Sequence, residues 1–248
     1  MDLGSHLEVH HAKSSAKYIK NVIFGGIDGI ITTFSIIAAC FGSGLEIKYI
    51  LAMGFANLLA DAFSMGFGDY ISSLFESKYI LSEKKKETWE YDNNRNYEVN
   101  EMIELYQNEG LDLEDSKKIV DILTKNNKYK NFFIKSMVNM ELGLEIPDEN
   151  YKNEIKKEAL ITFISFIIFG FIPLLTYLIS YWSNFNNYND IFIIDCFVTL
   201  LTIMSLGYLQ AIITKQPKLL GCVSLTINGL ISTGIAFILG YGIEKAIN

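Results

Sequence analysis

The sequence predicts an all-α polytopic membrane protein with five transmembrane helices and a small helical cytosolic domain inserted between helices 2 and 3. Half of the 248 residues are hydrophobic, and the mean hydropathy is positive at +0.24, which is more apolar than a soluble chain of this size needs to be. The apolar residues form five long runs, each long enough to cross a hydrocarbon core of about 30 Å. A strongly charged segment separates the second run from the third.

These changes in composition divide the chain into four segments. Residues 1–20 form a cytosolic N-terminal tail that lacks the apolar core and cleavage site of a signal peptide. Residues 21–81 contain transmembrane helices 1 and 2, residues 82–157 form an acidic cytosolic domain, and residues 158–248 contain transmembrane helices 3 to 5.

The first apolar run, from Val22 to Gly44, contains a single charged residue, Asp28. Three glycines surround it, at positions 25, 26 and 29. Small residues let membrane helices approach closely. This run therefore predicts a packed first helix that carries an acid inside the membrane.

The second run, from Tyr49 to Leu81, carries Asp61, Met65 and Asp69 four residues apart. That spacing puts all three side chains on one helical face. A carboxylate in hydrocarbon costs roughly 2.5 kcal/mol or more, so the stripe indicates a cation route. The alternative is a structural stripe whose acids lie near the membrane ends. Because the run is longer than a bilayer requires, its C-terminal part is expected to continue into water as a stalk.

The insert predicts three short helices. Amphipathic spacing indicates a helix over Glu101–Asn108, a second that Asp112 or Asp115 caps, and a third over Phe132–Leu144 that Gly143 closes.

Three further spans follow the insert, from 159 to 182, from 191 to 214 and from 219 to 243. Pro173 is expected to kink the third span, and Asp195 and Asn228 are polar groups in the fourth and fifth. Lysines precede span one, follow span two and join spans four and five. The positive-inside rule therefore predicts a cytosolic N-terminus and a cytosolic insert.

The charge distribution excludes some classes of function. The net charge is −7, and 18 of the 28 acidic residues lie between Glu83 and Glu158, which argues against a nucleic-acid partner. The three cysteines lie in apolar runs without paired spacing and are expected to be packing residues. Without a GxxxxGK[ST] motif in this sequence, ATP-driven chemistry is not indicated. The N-terminal histidines His6, His10 and His11 are expected to be disordered or to contact metal weakly.

Acidic residues recur in the insert at spacings of three and four. Such pairs share a helical face and can offer two ligand atoms to one ion. Carboxylates suit Mg, Ca, Mn and Fe(II), and a nearby thioether favours softer first-row metals. Taken alone, the same pattern also fits an ordinary solvated face. The pairs are Glu87 with Glu90, Glu98 with Glu101, Glu101 with Glu104, and Met137 with Glu141.

Four parts of the sequence resemble the vacuolar iron transporter family. They are GGIDGIITTFSIIAA, ADAFSMGFGDYIS, the acidic insert and the MELGLE that closes it, and the similarity runs from about Lys20 to the C-terminus. The resemblance implies a homodimer of five-span subunits that exchanges cytosolic Fe(II), and often Mn(II), for protons from an internal compartment. It implies a transporter in an organelle membrane, that of the vacuole, with the endoplasmic reticulum as the alternative. Neither enzymatic activity nor a permanently bound cofactor is expected.

The resemblance also assigns site residues. It puts Asp28 and Met65 on the translocation path between subunits, and to these the stripe adds Asp61 and Asp69. Where the family commonly has a further glutamate, this chain has Asn93, so either Asp92 or Glu87 substitutes, or the cytosolic site holds one ion fewer or more weakly. The implied cytosolic metal ligands are Glu90, Glu101, Glu104, Met137 and Glu141.

Three other functions fit parts of the sequence. A manganese or broad divalent-cation transporter would use the same ligand types. A membrane-anchored metal sensor or storage protein would need the insert but not intramembrane acids. A ferritin-like di-iron oxidase would also pair glutamates on helices, but this sequence lacks its Glu-x-x-His motifs.

Overall fold

The computed structural model describes residues 3–183 and 187–247, and the side chains among them from residue 17 onward. Throughout this part of the chain the regular secondary structure is helical, which confirms the predicted all-α class. The α-helices are α1 (Leu3–Gly42), α2 (Ile47–Asn93), α3 (Arg95–Asn108), α4 (Leu113–Thr124), α5 (Lys130–Leu142), α6 (Tyr151–Ser183), α7 (Tyr188–Ile213) and α8 (Lys218–Ile247). A single 3₁₀ turn, Asn127–Tyr129, precedes α5.

The chain forms two compact units. Unit 1 comprises Met1–Tyr70 and Lys156–Asn248, and unit 2 comprises Ile71–Ile155. Five helices, α1, α2, α6, α7 and α8, are long and apolar enough to cross a membrane, as predicted. At 1.5 Å per residue α2 is about 70 Å long, so only part of it can lie in hydrocarbon. The residues of α2 that follow Leu81 are mostly polar or charged.

Several helix ends follow local sequence signals. Asp112 caps α4 by accepting a hydrogen bond from the backbone N–H of Asp115, and Gly143 ends α5 in the left-handed conformation, with φ of 65°. Both were predicted. One bound was wrong: α3 begins at Arg95 rather than Glu101. The helix that contains the first predicted span extends N-terminally to Leu3. Asn94, a residue type that often caps helices, precedes α3, but its side chain forms no cap hydrogen bond.

Glycines bring the backbones of unit 1 together. A Cβ atom on Gly29 would collide with the carbonyl oxygen of Phe166 on α6, and one on Gly240 of α8 would collide with that of Ala39 on α1. The Ser165 hydroxyl of α6 donates to the Val22 carbonyl of α1 at 2.6 Å. Helix α1 therefore packs against both α6 and α8 at backbone distance.

Each unit has its own buried core. In unit 1, α6 contributes several of the most buried side chains, and its helix continues through Pro173. In unit 2, side chains from α2, α3, α4 and α5 meet. The core of unit 1 is centred on Ile37, Cys40, Ile50, Leu58, Ala62, Phe166, Leu174, Tyr177 and Ile191. That of unit 2 is centred on Tyr91, Met102, Val120, Phe133, Ile134 and Met137.

Substituting Gly29 tests the close contact between α1 and α6. We expect Gly29→Ala to lower the thermal unfolding midpoint of the full-length protein in detergent, because the added methyl group meets backbone that cannot move aside. Overpacking of this kind typically costs about 1–3 kcal/mol. The control is Gly242→Ala on α8, where a Cβ atom meets nothing within 4 Å. Equal midpoints for the two variants would contradict the packing described here.

Candidate metal sites

Unit 1 contains an open cavity of about 770 Å³ that α1, α2 and α8 line. Seven of its eleven lining residues are polar, which is unusual for a cleft between apolar helices. Two of them are acids, Asp28 on α1 and Asp61 on α2. The polar lining consists of Asp28, Thr32, Ser35, Asn57, Asp61, Asn228 and Ser232.

The two acids have different local surroundings. On α2 the Asn57 amide, one turn before Asp61, donates a hydrogen bond to its carboxylate. Asp28 lies in the glycine-rich part of α1, where the glycines face α6. Its own backbone carbonyl accepts a hydrogen bond of 2.7 Å from the Thr32 hydroxyl. The cavity thus gathers two carboxylates with amide and hydroxyl groups, which are donors suited to a hard or borderline divalent cation.

The predicted stripe on α2 separates into three environments. Asp61 reaches the cavity, whereas Met65 packs against the core of unit 1. The Asp69 carboxylate accepts a hydrogen bond of 2.9 Å from the buried Thr162 hydroxyl of α6. The three side chains do share one face, but α6 covers part of that face. Roles for Met65 and Asp69 on the translocation path stay predictions.

Unit 2 contains the acidic cluster, which we define as the mutually interacting carboxylates of α2, α3 and α5. Helix α2 contributes two glutamates, α3 contributes three, and α5 contributes one. Their charges act on one another, so the folded chain brings together acids that are up to 54 residues apart in sequence. The members are Glu87, Glu90, Glu98, Glu101, Glu104 and Glu141.

Two members of the cluster are almost completely buried. Glu87 and Glu98 are each 2% exposed. Burial, with the neighbouring Glu141 charge, raises the pKa of Glu87 to about 7. Burial, with the Glu101 charge, raises the pKa of Glu98 to about 7. Near neutral pH, both carboxyls therefore lie at the boundary between the protonated and the charged form.

Lys86 is an exposed lysine on α2 that lies near several of the cluster's carboxylates. Its ammonium lies 3.8 Å from the Glu90 carboxylate, and Glu90, with Glu87, Glu83 and Glu141, raises the lysine pKa. One positive charge is much less than the cluster's negative charge. The cluster consequently keeps an excess of negative charge that can attract divalent cations.

The other predicted ligands of unit 2 have clear structural environments. Met137 is fully buried in the unit 2 core, so the structure accounts for it as a packing residue, and its ligand role stays a prediction. Asn93 donates its amide to the Trp89 carbonyl at 2.7 Å. Of its two possible substitutes, Asp92 pairs with Lys130 at 2.5 Å, whereas Glu87 lies in the acidic cluster.

The carboxylates are not drawn together into a closed coordination sphere. Among the described residues, no three His, Cys, Asp or Glu side chains converge closely enough to hold one ion. The N-terminal histidines lie outside the side chains that the structure describes. An ion entering the acidic cluster would therefore have to draw flexible glutamates toward itself.

Sequence reasoning missed several participants. Glu98 was visible only as one of several acid pairs, and its burial depends on neighbours from other helices. Asn57 lies four residues before Asp61, a spacing that could have identified the hydrogen bond. Ser35 and Ser232 carry no sequence signal that separates them from ordinary helix residues.

Comparison with known proteins gives one consistent result. Residues 19–241 match the family model described as the VIT family. The chain is 36% identical to the vacuolar iron transporter of Plasmodium falciparum, over 100% of this chain and 89% of that protein. It is 35% identical to the vacuolar iron transporter of Plasmodium berghei, over 96% and 86%. Identity to vacuolar iron transporter 1 of Oryza sativa is 29%, over 98% and 92%.

The buried glutamates predict a pH-dependent stability of unit 2. Their pKa values exceed the ordinary 4.5, so the folded unit retains protons that the unfolded chain has released. The free energy of unfolding should therefore fall as pH rises from about 4.5 to 7 and level off above that range. Glu98→Gln should reduce this fall, which thermal unfolding at several pH values measures.

The matched control is Glu109→Gln, which changes an exposed acid at the end of α3. It should keep the wild-type pH dependence. We expect the Glu98→Gln midpoint at neutral pH to exceed that of the control by roughly 5 °C, since 1 kcal/mol corresponds to about 4–8 °C in a domain of this size. Identical pH profiles for the two variants would show that Glu98 is not a buried acid.

Proposed function

Because the chain belongs to the VIT family, as the sequence resemblance indicated, we propose that it is a proton-coupled antiporter for Fe(II). It moves cytosolic Fe(II), and also Mn(II), into a vacuole-like compartment. Its relatives in this family are transporters and not enzymes. The observation that carries the proposal is the cavity of unit 1, where Asp28 and Asp61 face one space among helices able to cross a membrane.

The coupling follows from competition for the same carboxylates. In a low-dielectric environment an ionised carboxylate is unfavourable unless a proton or a cation neutralises it. Binding of a divalent ion between Asp28 and Asp61 would therefore displace protons, and protonation would release the ion. If the cavity opens alternately to the two sides of the membrane, this competition exchanges metal for protons without ATP.

The acidic cluster supplies the cytosolic binding step. Lysines flank the first two spans on the side to which the insert belongs, and the positive-inside rule puts that side in the cytosol. The excess of carboxylates raises the local concentration of divalent ions over the monovalent background. In this scheme unit 2 collects the ions, and the acids of unit 1 transfer them.

A stripe of small residues on α2 supports a homodimer. Five residues, each four positions after the last, are small and exposed in the single chain. Such a stripe lets two membrane helices approach closely, and it lies beside the face that carries Asp61. A two-fold axis along this stripe would bring the cavities of two subunits near each other. The residues are Ala52, Ala56, Ala60, Ser64 and Gly68.

Uptake of radiolabelled Fe(II) into sealed proteoliposomes tests the function. Uptake should depend on an inside-acid pH gradient, because protons leave as metal enters. Competition by Mn(II) in the same assay measures the preference between the two ions, which oxygen ligands separate poorly. Binding of Fe(II) with no gradient-dependent uptake would favour the membrane-anchored sensor instead.

Asp28→Asn should abolish gradient-driven uptake and leave metal binding by the acidic cluster nearly unchanged. Asparagine preserves the size of the side chain and one acceptor oxygen, but it can neither exchange a proton nor neutralise a cation. The control is Asp190→Asn, which changes an exposed acid at the start of α7. Normal pH-dependent uptake by Asp28→Asn would move the coupling site to another acid, with Asp61 the next to be tested.

Replacing Ala56 and Ala60 together with leucine should shift the protein from dimer to monomer. The two bulky side chains would keep the helices apart along the stripe. The control is Ser224→Leu, an exposed small residue on α8. Mass measurement in mild detergent distinguishes the states, and a dimer that persists in the double variant would exclude this face as the interface.

A further inference from the structure

Helix α7 buries an acid that the proposed transport mechanism does not use. Asp195 has no exposed surface. Among the described residues, neither of its carboxylate oxygens has a hydrogen-bond partner. The Thr176 hydroxyl of α6 approaches the carboxylate without completing a hydrogen bond. A buried carboxylate without partners is rare in folded proteins, because it carries the full cost of desolvation.

Two more unpartnered oxygens belong to the same environment. Thr199 lies one helical turn after Asp195, on the same face of α7, and its hydroxyl is buried without a partner in the described structure. Tyr177 of α6 is fully buried, and its hydroxyl also lacks a partner there. The Asp195 charge acts directly on Tyr177. In the described part of the chain, four oxygen atoms on α6 and α7 are thus left without hydrogen-bond partners.

No neighbouring side chain in the described structure compensates the charge of Asp195. The titratable groups around Asp195 and Tyr177 are Cys40 on α1, and Tyr188 and Cys196 on α7. Cysteine and tyrosine side chains are ordinarily neutral at physiological pH. Helix α8, which also packs on α7, faces this part of it with Thr226, Thr233 and apolar residues. The one negative charge therefore lacks a compensating positive charge among the described residues, and a cation from outside them would supply it.

We propose that Asp195, Tyr177 and Thr199 form a binding site for one monovalent cation, either a proton or a sodium ion. The site has a single negative charge and neutral hydroxyl oxygens, so a divalent ion would leave an uncompensated positive charge in a low-dielectric environment. Oxygen donors suit a hard cation. This site is separate from the cavity of Asp28 and Asp61, and it does not depend on which metal the protein transports.

An adjacent cavity offers an approach to the site. It measures about 480 Å³ and lies between α1, α7 and α8. Its lining is mostly apolar, but it includes Thr199 and Cys196, the residue next to Asp195. Occupancy of the site should stabilise the packing of α6 against α7, because it removes the charge that opposes burial of the acid.

Thermal unfolding of the full-length protein in detergent tests the proposal. The wild type, Asp195→Asn and the exposed-acid control Asp190→Asn are compared at acidic and alkaline pH, in choline buffer and in sodium buffer. In choline buffer, the thermal unfolding midpoints of the wild type and the control should fall more steeply with rising pH than the midpoint of Asp195→Asn. The reason is that asparagine carries no charge that must be neutralised on burial. Added sodium should restore the wild-type midpoint if the ligand is sodium, and leave it unchanged if the ligand is a proton.

Infrared spectra give a second readout that is independent of stability. The spectrum of Asp195→Asn is subtracted from that of the wild type. If Asp195 binds a proton, the difference spectrum shows the carbonyl stretch of a carboxylic acid. If it binds sodium, the difference spectrum shows carboxylate bands that change with sodium concentration. Ionised carboxylate bands that do not respond to sodium would overturn the proposal. Identical pH and sodium dependence of the midpoint in the wild type and Asp195→Asn would overturn it as well.

Tyr177→Phe keeps the proposal testable if Asp195→Asn does not fold. It removes one oxygen and retains the ring that packs in the core. For a sodium site, the sodium concentration for half-maximal stabilisation should rise roughly ten-fold, the effect of losing one contact to a charged group. For a proton site, the frequency of the acid carbonyl stretch should change. If Tyr177→Phe changes neither quantity, the three residues do not form one site.

Discussion

The backbone contact between α1 and α6 determines where the polar groups of unit 1 can lie. At Gly25 and Gly29 the two helices approach so closely that even a methyl group would collide with backbone atoms of α6. Successive residues of an α-helix are turned by about 100°, so Asp28 points to one side of this contact and toward the cavity. A bulkier residue at position 29 would separate α1 from α6 and turn Asp28 away from the cavity. The intramembrane carboxylate and its glycines are therefore one structural feature.

The two units accommodate negative charge in opposite ways. Water cannot solvate carboxylates throughout a bilayer. In unit 1, Asp61 and Asp69 accept hydrogen bonds from Asn57 and Thr162, and Asp28 shares a cavity with hydroxyl groups. In unit 2 six carboxylates lie within electrostatic reach of one another, and solvent screens part of their repulsion.

Much of the fold could be predicted because its signals are local. Hydropathy indicated all five long helices, and Asp112 and Gly143 marked helix ends through their own backbone and side-chain chemistry. The N-terminal extension of α1 has no comparable signal, and at the start of α3 the N-cap residue Asn94 forms no side-chain cap. Both helices extend beyond the residues whose apolar periodicity predicted them.

The candidate sites were less predictable, because burial depends on what packs against a residue. Spacing correctly put Asp61, Met65 and Asp69 on one face, but only the folded chain shows that Thr162 of α6 binds the last of them. Spacing likewise paired Met137 with Glu141, although one is fully buried and the other exposed. Helical periodicity gives the direction of a side chain and not its depth.

Lys86 makes the acidic cluster a competitive environment even before any metal arrives. Its ammonium is tethered to the same helix as Glu87 and Glu90, so the carboxylates always encounter it at an effective concentration on the order of millimolar or higher. A potassium ion that displaced the lysine ammonium would replace one positive charge with another, so the electrostatic energy would change little. A divalent ion brings twice the charge to the same oxygens. Lys86 thus neutralises part of the cluster's negative charge, and the remainder attracts a divalent cation more strongly than a monovalent one.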